Sequence, residues 1–213
     1  MRQLTFVLLL LALFVAVQPP AASAQGGVPL PGPGQTVTWT AAMSPITISG
    51  HLVIPAGGTV VVEPGVQILV SQDSTLEVRG TLAGEGTESL PIELLAAAVF
   101  PPALHVIDGT VTLSETIVSG NIKPDDGASL IFDETTFEGN GVFFADNYLA
   151  EKVPYLEITN SHFEGPGAHI NIAHLTLVLR NTTFHNAVAQ VLYGPVYPDG
   201  AAFDGRKPSA SPS

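Results

Sequence analysis

The chain has 213 residues, with 7 Lys+Arg against 19 Asp+Glu, a formal net charge of -12 and no cysteine. So acidic a chain repels nucleic acid and anionic membranes, because phosphate contacts need clustered Lys and Arg. Without cysteine there is no disulfide framework, no thiol nucleophile and no lipid-modified cysteine. Charged residues make up 12% and hydrophobics 46%, which excludes a charge-laced helical assembly, and the many Val, Ile, Thr and Gly point to an all-β fold.

In chain order, residues 1–24 read as a secretory signal peptide, with Arg2 as the positive region, Leu4 to Val17 as the apolar core and Ala22-Ser23-Ala24 as the cleavage site before Gln25. The apolar run is about 14 residues and is closed by Gln18-Pro19-Pro20, short of the roughly 20 that a membrane helix needs. The mature chain is therefore expected to carry no membrane span, to be secreted or held at the cell surface, and to have a charge of about -13 once Arg2 is removed. Residues 25–35 (Gly26-Gly27-Val28-Pro29-Leu30-Pro31-Gly32-Pro33-Gly34 within them) form a Pro/Gly leader expected to be flexible and to bury nothing. The folded domain is expected over residues 36–198, and residues 199–213, poor in apolar side chains, as a disordered tail.

Inside that domain the alternation predicts short strands over Thr47 to Ile54, Thr59 to Glu63, Val66 to Val70 and Leu76 to Arg79, separated by Pro55-Ala-Gly-Gly58, Glu63-Pro-Gly65 and Gly84-Glu-Gly86 turns. Four ungapped ten-residue blocks follow, beginning at Val111, Leu130, Leu156 and Leu177, with starts 19, 26 and 21 residues apart. Each is apolar at places one, three and eight, polar at four and five, and Ser or Thr at six. A repeat of that length is the signature of a coil in which every turn stacks on the last. Stacking in this register would make Val118, Phe137, Phe163 and Phe184 one internal column and Thr116, Thr135, Ser161 and Thr182 another. Asn160 and Asn181 would occupy a bend, where Asn accepts left-handed backbone. Trp39 with the leader would cap the first coil, and Tyr193-Gly-Pro-Val-Tyr197-Pro198 the last.

The stretch Trp39-Thr, Ser44-Pro45-Ile46, Ile48-x-Gly50, Ile54-Pro-Ala-Gly57, Val60-Val-Val-Glu-Pro-Gly-Val66, Leu76-x-Val78-x-Gly80-Thr-Leu82, Gly86-Thr87 and Pro91-Ile92 resembles the opening coils of bacterial secreted right-handed parallel β-helix repeat proteins, of the pectate-lyase-like superfold. Residues 36–93 carry the resemblance, and the later blocks match its looser rung pattern. It implies a single-stranded right-handed parallel β-helix, or β-solenoid. Members of that group include adhesins, polysaccharide-acting enzymes and proteins of no known role. Glu93 to Pro102, Ala-rich with a double proline, departs from the pattern and is expected to be an inserted loop or short helix. Polyuronate lyases on such folds use Lys or Arg as base and hold acidic sugars with basic residues, yet the expected domain offers only Arg79, Lys123, Lys152 and Arg180.

There is no Gly-x-Ser-x-Gly elbow, phosphate loop or His-Glu-x-x-His helix. Places seven and nine of the repeat point outward and align Thr136, His162 and Thr183 beside Glu138, Glu164 and His185. Carboxylates at that spacing share a proton, grip a cation or act as a catalytic pair, so Glu138, Glu164, His162 and His185 form the candidate binding face, although plain solvated polar positions on an acidic surface explain them more simply. Weaker oxygen-ligand sets, suited to Ca²⁺, are Glu115, Asp133 and Glu134 on one column and Asp125 and Asp126 in a loop. No other cofactor is indicated. His169 and His174 fall in an apolar strand with opposite parity and serve no single site. Asn181-Thr-Thr183 fits a glycosylation acceptor but lies in an expected coil.

Two readings remain. One is a secreted, non-enzymatic interaction module whose flat repeating faces suit an extracellular polysaccharide or a surface protein. The other is a polysaccharide-active hydrolase or lyase working on the Glu138/Glu164 face, or a degenerate piece of a longer surface protein. A cleft walled by long loops would favour the enzyme, and a smooth face the module.

Overall fold

The computed structural model describes residues 23–25, 27–98, 101–139, 142–146, 151–165, 169–192, 196–199, 202–204 and 209–210. The chain passes through three sheets in turn and then moves one coil along. Thr36–Trp39 opens the first sheet, Ile46–Ile48 the second and His51–Ile54 the third, and Thr59–Val62 returns beside Thr36–Trp39. Each sheet contains eight described strands, and every pairing within the three is parallel. The result is a parallel β-solenoid, all-β apart from one 3₁₀ turn at Ala41–Met43. Among the described residues no helix is long and apolar enough to cross a membrane.

The ten-residue repeat is a corner of this coil. Places one to four belong to strands of the first sheet (Thr110–Ser114, Ser129–Asp133, Tyr155–Thr159, Thr176–Arg180), and the later places to strands of the second (Thr116–Ser119, Thr136–Glu138, His162–Glu164, Thr183–His185). Place five turns the chain with left-handed backbone: Glu115, Glu134, Asn160 and Asn181 have φ of 49, 47, 48 and 48°. An L-residue there costs about 1–2 kcal/mol. Part of the offset comes from place six, whose buried hydroxyl donates back to the carbonyl two residues earlier. Thr116 bonds Ser114 O at 3.0 Å, Thr135 bonds Asp133 O at 3.0 Å, Ser161 bonds Thr159 O at 2.6 Å and Thr182 bonds Arg180 O at 3.0 Å. The Asn amides add a ladder along the axis, Asn181 Nδ2 donating to Asn160 Oδ1 at 3.1 Å and Asn160 Nδ2 to Asp133 Oδ1 at 2.8 Å.

The core fills the bore of the coil. On the second sheet Ile46, Ile68, Leu94, Val118, Phe137, Phe163 and Phe184 occupy successive rungs of one ladder, all buried. The aromatic part stacks face to face, with Phe163 centred 4.4 Å from Phe137 and 4.5 Å from Phe184. Phe132, from the first sheet, meets Phe137 edge-on at 5.4 Å. Where coils crowd, glycine is required: a Cβ on Gly80 would stand 2.2 Å from Gly58 O and 2.4 Å from Pro55 O.

Three expectations are revised. The leader does bury side chains, since Val28 and Leu30 are 7% and 5% exposed and the fully buried Trp39 donates its indole N–H to Pro29 O at 2.9 Å. A Val-Pro-Leu alternation lets a Pro-rich strand turn two apolar groups onto the open end of the first coil. Strand Val28–Leu30 also pairs antiparallel with Ser23–Gln25. Glu93 to Pro102 leaves the coil order intact: Ile92–Ala96 pairs with Gln67–Val70 and Thr116–Ser119, and Leu104–Ile107 with Thr75–Val78 and Asn121–Asp125. The described part of the connection between them contains no helix. In the expected tail, Ala202–Asp204 and Ser209–Ala210 continue the second and third sheets beside Thr183–His185 and Val188–Leu192. Backbone pairing, indifferent to side-chain polarity, extends past the apolar sequence. Val196–Asp199, which overlaps the expected C-terminal cap, is a strand of the first sheet. Residues 193–195 of that expected cap and residues 1–22 of the expected signal lie outside the described residues.

Replacing Phe163 by Ala removes a ring packed on both faces and should destabilise the protein by about 3–5 kcal/mol. Thermal unfolding that barely moves would refute the stacked column. Conversely, Glu134→Asn places a better left-handed residue on the bend and should raise stability by about 0.5–1 kcal/mol in chemical denaturation. A loss of stability would show that the Glu134 side chain is itself needed at this corner.

Candidate functional site

The outward face of the second sheet assembles as its repeat predicts. Thr136, His162 and Thr183 share one ladder, and Glu138, Glu164 and His185 the next. His162 Nε2 lies 2.7 Å from Glu164 Oε2, His185 Nε2 lies 3.9 Å from Glu164 Oε1, and His162 Nδ1 hydrogen-bonds the Thr183 hydroxyl. Glu164 is thus flanked by two imidazoles, with Glu138 on the adjoining rung. These side chains are close to half exposed, where solvent screening reduces each pair to about 0–1 kcal/mol.

The other acidic sets are engaged by the protein itself. Asp133 Oδ1 accepts from the Thr159 hydroxyl at 2.6 Å as well as from Asn160. Glu115 and Glu134 stand on adjacent bends, and desolvation, followed by a shared hydrogen bond and the charge of Glu134, raises the Glu115 carboxyl above the ordinary range. Asp125 faces His105 Nε2 and Lys123 Nζ, each at 3.3 Å, and accepts the Asp126 N–H at 3.0 Å. Burial opposes its ionisation, but these donors prevail and hold its carboxyl below the usual range. Asp126 Oδ1 accepts the Lys152 backbone N–H at 2.8 Å. Among the described residues, no group of three or more His, Asp or Glu is arranged to hold a metal ion. His174 is a bend residue (φ 54°) just past strand His169–Ala173, not a strand residue. The side chain of His169 lies outside the described residues. Asn181 is exposed on its bend, its amide donating to Asn160.

The third sheet carries an arrangement the sequence reading missed. Val53, Glu77, His105 and Lys123 occupy one outward ladder across four coils. A recess of about 370 Å³ opens over its middle rungs, floored by Thr75 and Glu77, flanked by His51 and His105, with Gly50 and Asp73 at the rim and Pro101 and Pro102 as a wall. That wall is the connection between Ile92–Ala96 and Leu104–Ile107. It is fastened to the sheet by Thr75 Oγ1 donating to Pro102 O and Leu76 N donating to Ala103 O, both at 2.9 Å. Glu77 is only 6% exposed. Arg79 Nε donates to its Oε1, and His51 Nε2 lies 2.9 Å from its Oε2.

A short motif marks this ladder. Leu52-Val-Ile54, Leu76-Glu-Val78, Leu104-His-Val106 and Ile122-Lys-Pro124 each hold two inward residues around one outward residue. Aligning those triplets would have brought Glu77 and His105 together. They fall before and between the ten-residue blocks, at spacings that do not repeat.

Fold and faces together define the class: a parallel β-solenoid with a mixed carboxylate-imidazole face on its second sheet and a loop-walled recess on its third. No family model, curated protein or solved structure matches the chain.

Desolvation pushes the Glu77 carboxyl up, but the hydrogen bonds from Arg79 and His51 outweigh it and hold the group below its ordinary value of 4.5. A carboxyl depressed in the native state adds stability above its unfolded pKa and loses it as pH falls through the native value. The melting-temperature gap between wild type and Glu77→Gln should therefore be widest near neutral pH and close below the ordinary value of 4.5. A gap that stays constant down to strongly acid pH would mean that the buried ion pair is not formed.

Proposed function

We propose that the protein is a secreted or surface-held interaction module that binds an extracellular polysaccharide without cleaving it, and that its coil belongs with the bacterial right-handed β-helix repeat proteins it resembles. The observation carrying this reading is the recess on the third sheet, where a ladder face is bounded by one wall fastened to it. A linear polymer lies along such a face at little ordering cost to the protein, because His51, Thr75, Glu77 and His105 stand on paired strands. The chemistry of Glu77 favours holding over cutting. Glycosidic cleavage by a carboxyl pair needs a general acid kept protonated near neutral pH, and Glu77 is held in the opposite state by Arg79 and His51. The signal peptide read over residues 1–24 accords with an extracellular site of action.

A glycan array probed with the mature protein, run beside an assay for newly released reducing ends, tests this. Retention of one or more polysaccharides with no release of ends is the expected result. Release of ends that disappears in Glu138→Gln/Glu164→Gln would overturn it in favour of the hydrolase or lyase. Failure to retain any polysaccharide would remove the ligand class altogether.

A further inference from the structure

Resting on that reading, we infer that the recess over Glu77 is a subsite for a neutral, hydroxyl-rich saccharide and rejects uronates. The argument is one of charge. Glu77 and Asp73 bring two carboxylates to the recess, in a chain whose formal charge is -12. The nearby cations are committed: Arg79 to Glu77, and Lys123 to Asp125. A uronate entering here meets a desolvated carboxylate with its positive partner already engaged, and like charges in a dehydrated site repel strongly.

A sugar hydroxyl meets the reverse situation. Each oxygen of an ionised carboxylate offers about two acceptor directions. Arg79 takes one on Oε1 and His51 one on Oε2. The remaining directions suit neutral O–H donors, and hydrogen bonds to a carboxylate are about twice as strong as those between neutral groups. The wall supplies apolar surface, since Pro101 and Pro102 line the recess and offer C–H groups on which the apolar side of a pyranose can pack. At about 370 Å³ the recess lies in the size range of small-ligand sites, about 300–1,000 Å³. The Thr75 to Pro102 bond holds floor and wall together before any ligand arrives.

The test is calorimetric titration of the mature protein with neutral hexasaccharides (laminarihexaose, mannohexaose and cellohexaose), with hexagalacturonate and with a glucosamine hexamer. At least one neutral oligomer should bind. His105 lines the recess beside Glu77 on the next coil, where its ring meets whatever the Glu77 carboxylate holds, so His105→Ala and Glu77→Gln should each weaken binding by about tenfold or more, while Glu157→Gln on the first sheet leaves it unchanged. His105 is partly exposed, so its variant is expected to fold, and circular dichroism checks Glu77→Gln. Hexagalacturonate should give no heat at the same concentrations. Three results overturn the inference: uronate binding that His105→Ala abolishes, preference for the glucosamine hexamer over every neutral one, or neutral binding that His105→Ala leaves intact while Glu164→Gln removes it. The last would preserve the polysaccharide-binding reading and move the site to the second sheet, whereas silence across the whole glycan array defeats the reading itself.

Discussion

Parallel, in-register backbone pairing between successive coils is the constraint on which everything else rests. Once residue n of one coil is bonded beside its counterpart in the next, the inward or outward sense of every neighbouring side chain is fixed by the two-residue period of a strand. Phe137, Phe163 and Phe184 can then stack ring on ring, and Glu138, Glu164 and His185 are brought to the surface together. Corners admit no side chain where the backbone of one coil meets the next, as the carbonyl oxygens crowding Gly80 show. The inward ladder from Ile46 to Phe184 stays apolar while its residues change in size, and the recess arises where one connection between sheets lengthens.

That constraint also shapes the electrostatics. Few cations serve many carboxylates here, and among the described residues each Lys and Arg meets an acid: Arg180 meets Glu157, Lys152 meets Asp108, Arg79 meets Glu77 and Lys123 meets Asp125. The first two join different coils and so reinforce the stacking, while the last two pair residues two apart within one coil. Glu77 is the exception in burial. It is covered because the wall lies over its ladder, and so a surface position acquires the desolvation of an interior one.

Legibility in the sequence followed repetition. Ten-residue blocks with identical apolar places gave the corner, the aromatic column, the hydroxyl column and the Asn bend, because one physical environment recurs at each coil and selects the same kind of residue. The second-sheet face was legible for the same reason. Glu115 and Glu134 read from the sequence as turn acids or a Ca²⁺ ligand column, and that they share the left-handed bend of Asn160 and Asn181 emerged only with the backbone, since Glu is an unusual residue for left-handed φ. The recess was opaque for a different reason. His51, Glu77 and His105 belong to coils whose connections differ in length, and the wall over them, Pro101-Pro102, follows a stretch whose composition suggested a departure from the coil. The leader was misjudged because proline and glycine signal an unstructured arm, while Val28 and Leu30 have only one surface to cover, the end of the first coil.

That covered end gives the molecule a direction. A stack of parallel coils offers at an open end the same backbone donors, acceptors and apolar bore that hold its interior together, so a second chain could in principle add there as one more coil. Val28, Leu30 and the Trp39 to Pro29 bond occupy that position with the chain's own residues. Templated growth from this end requires displacing a segment already tied down by an indole hydrogen bond and two buried side chains, so the leader acts as an intramolecular competitor to fibre formation.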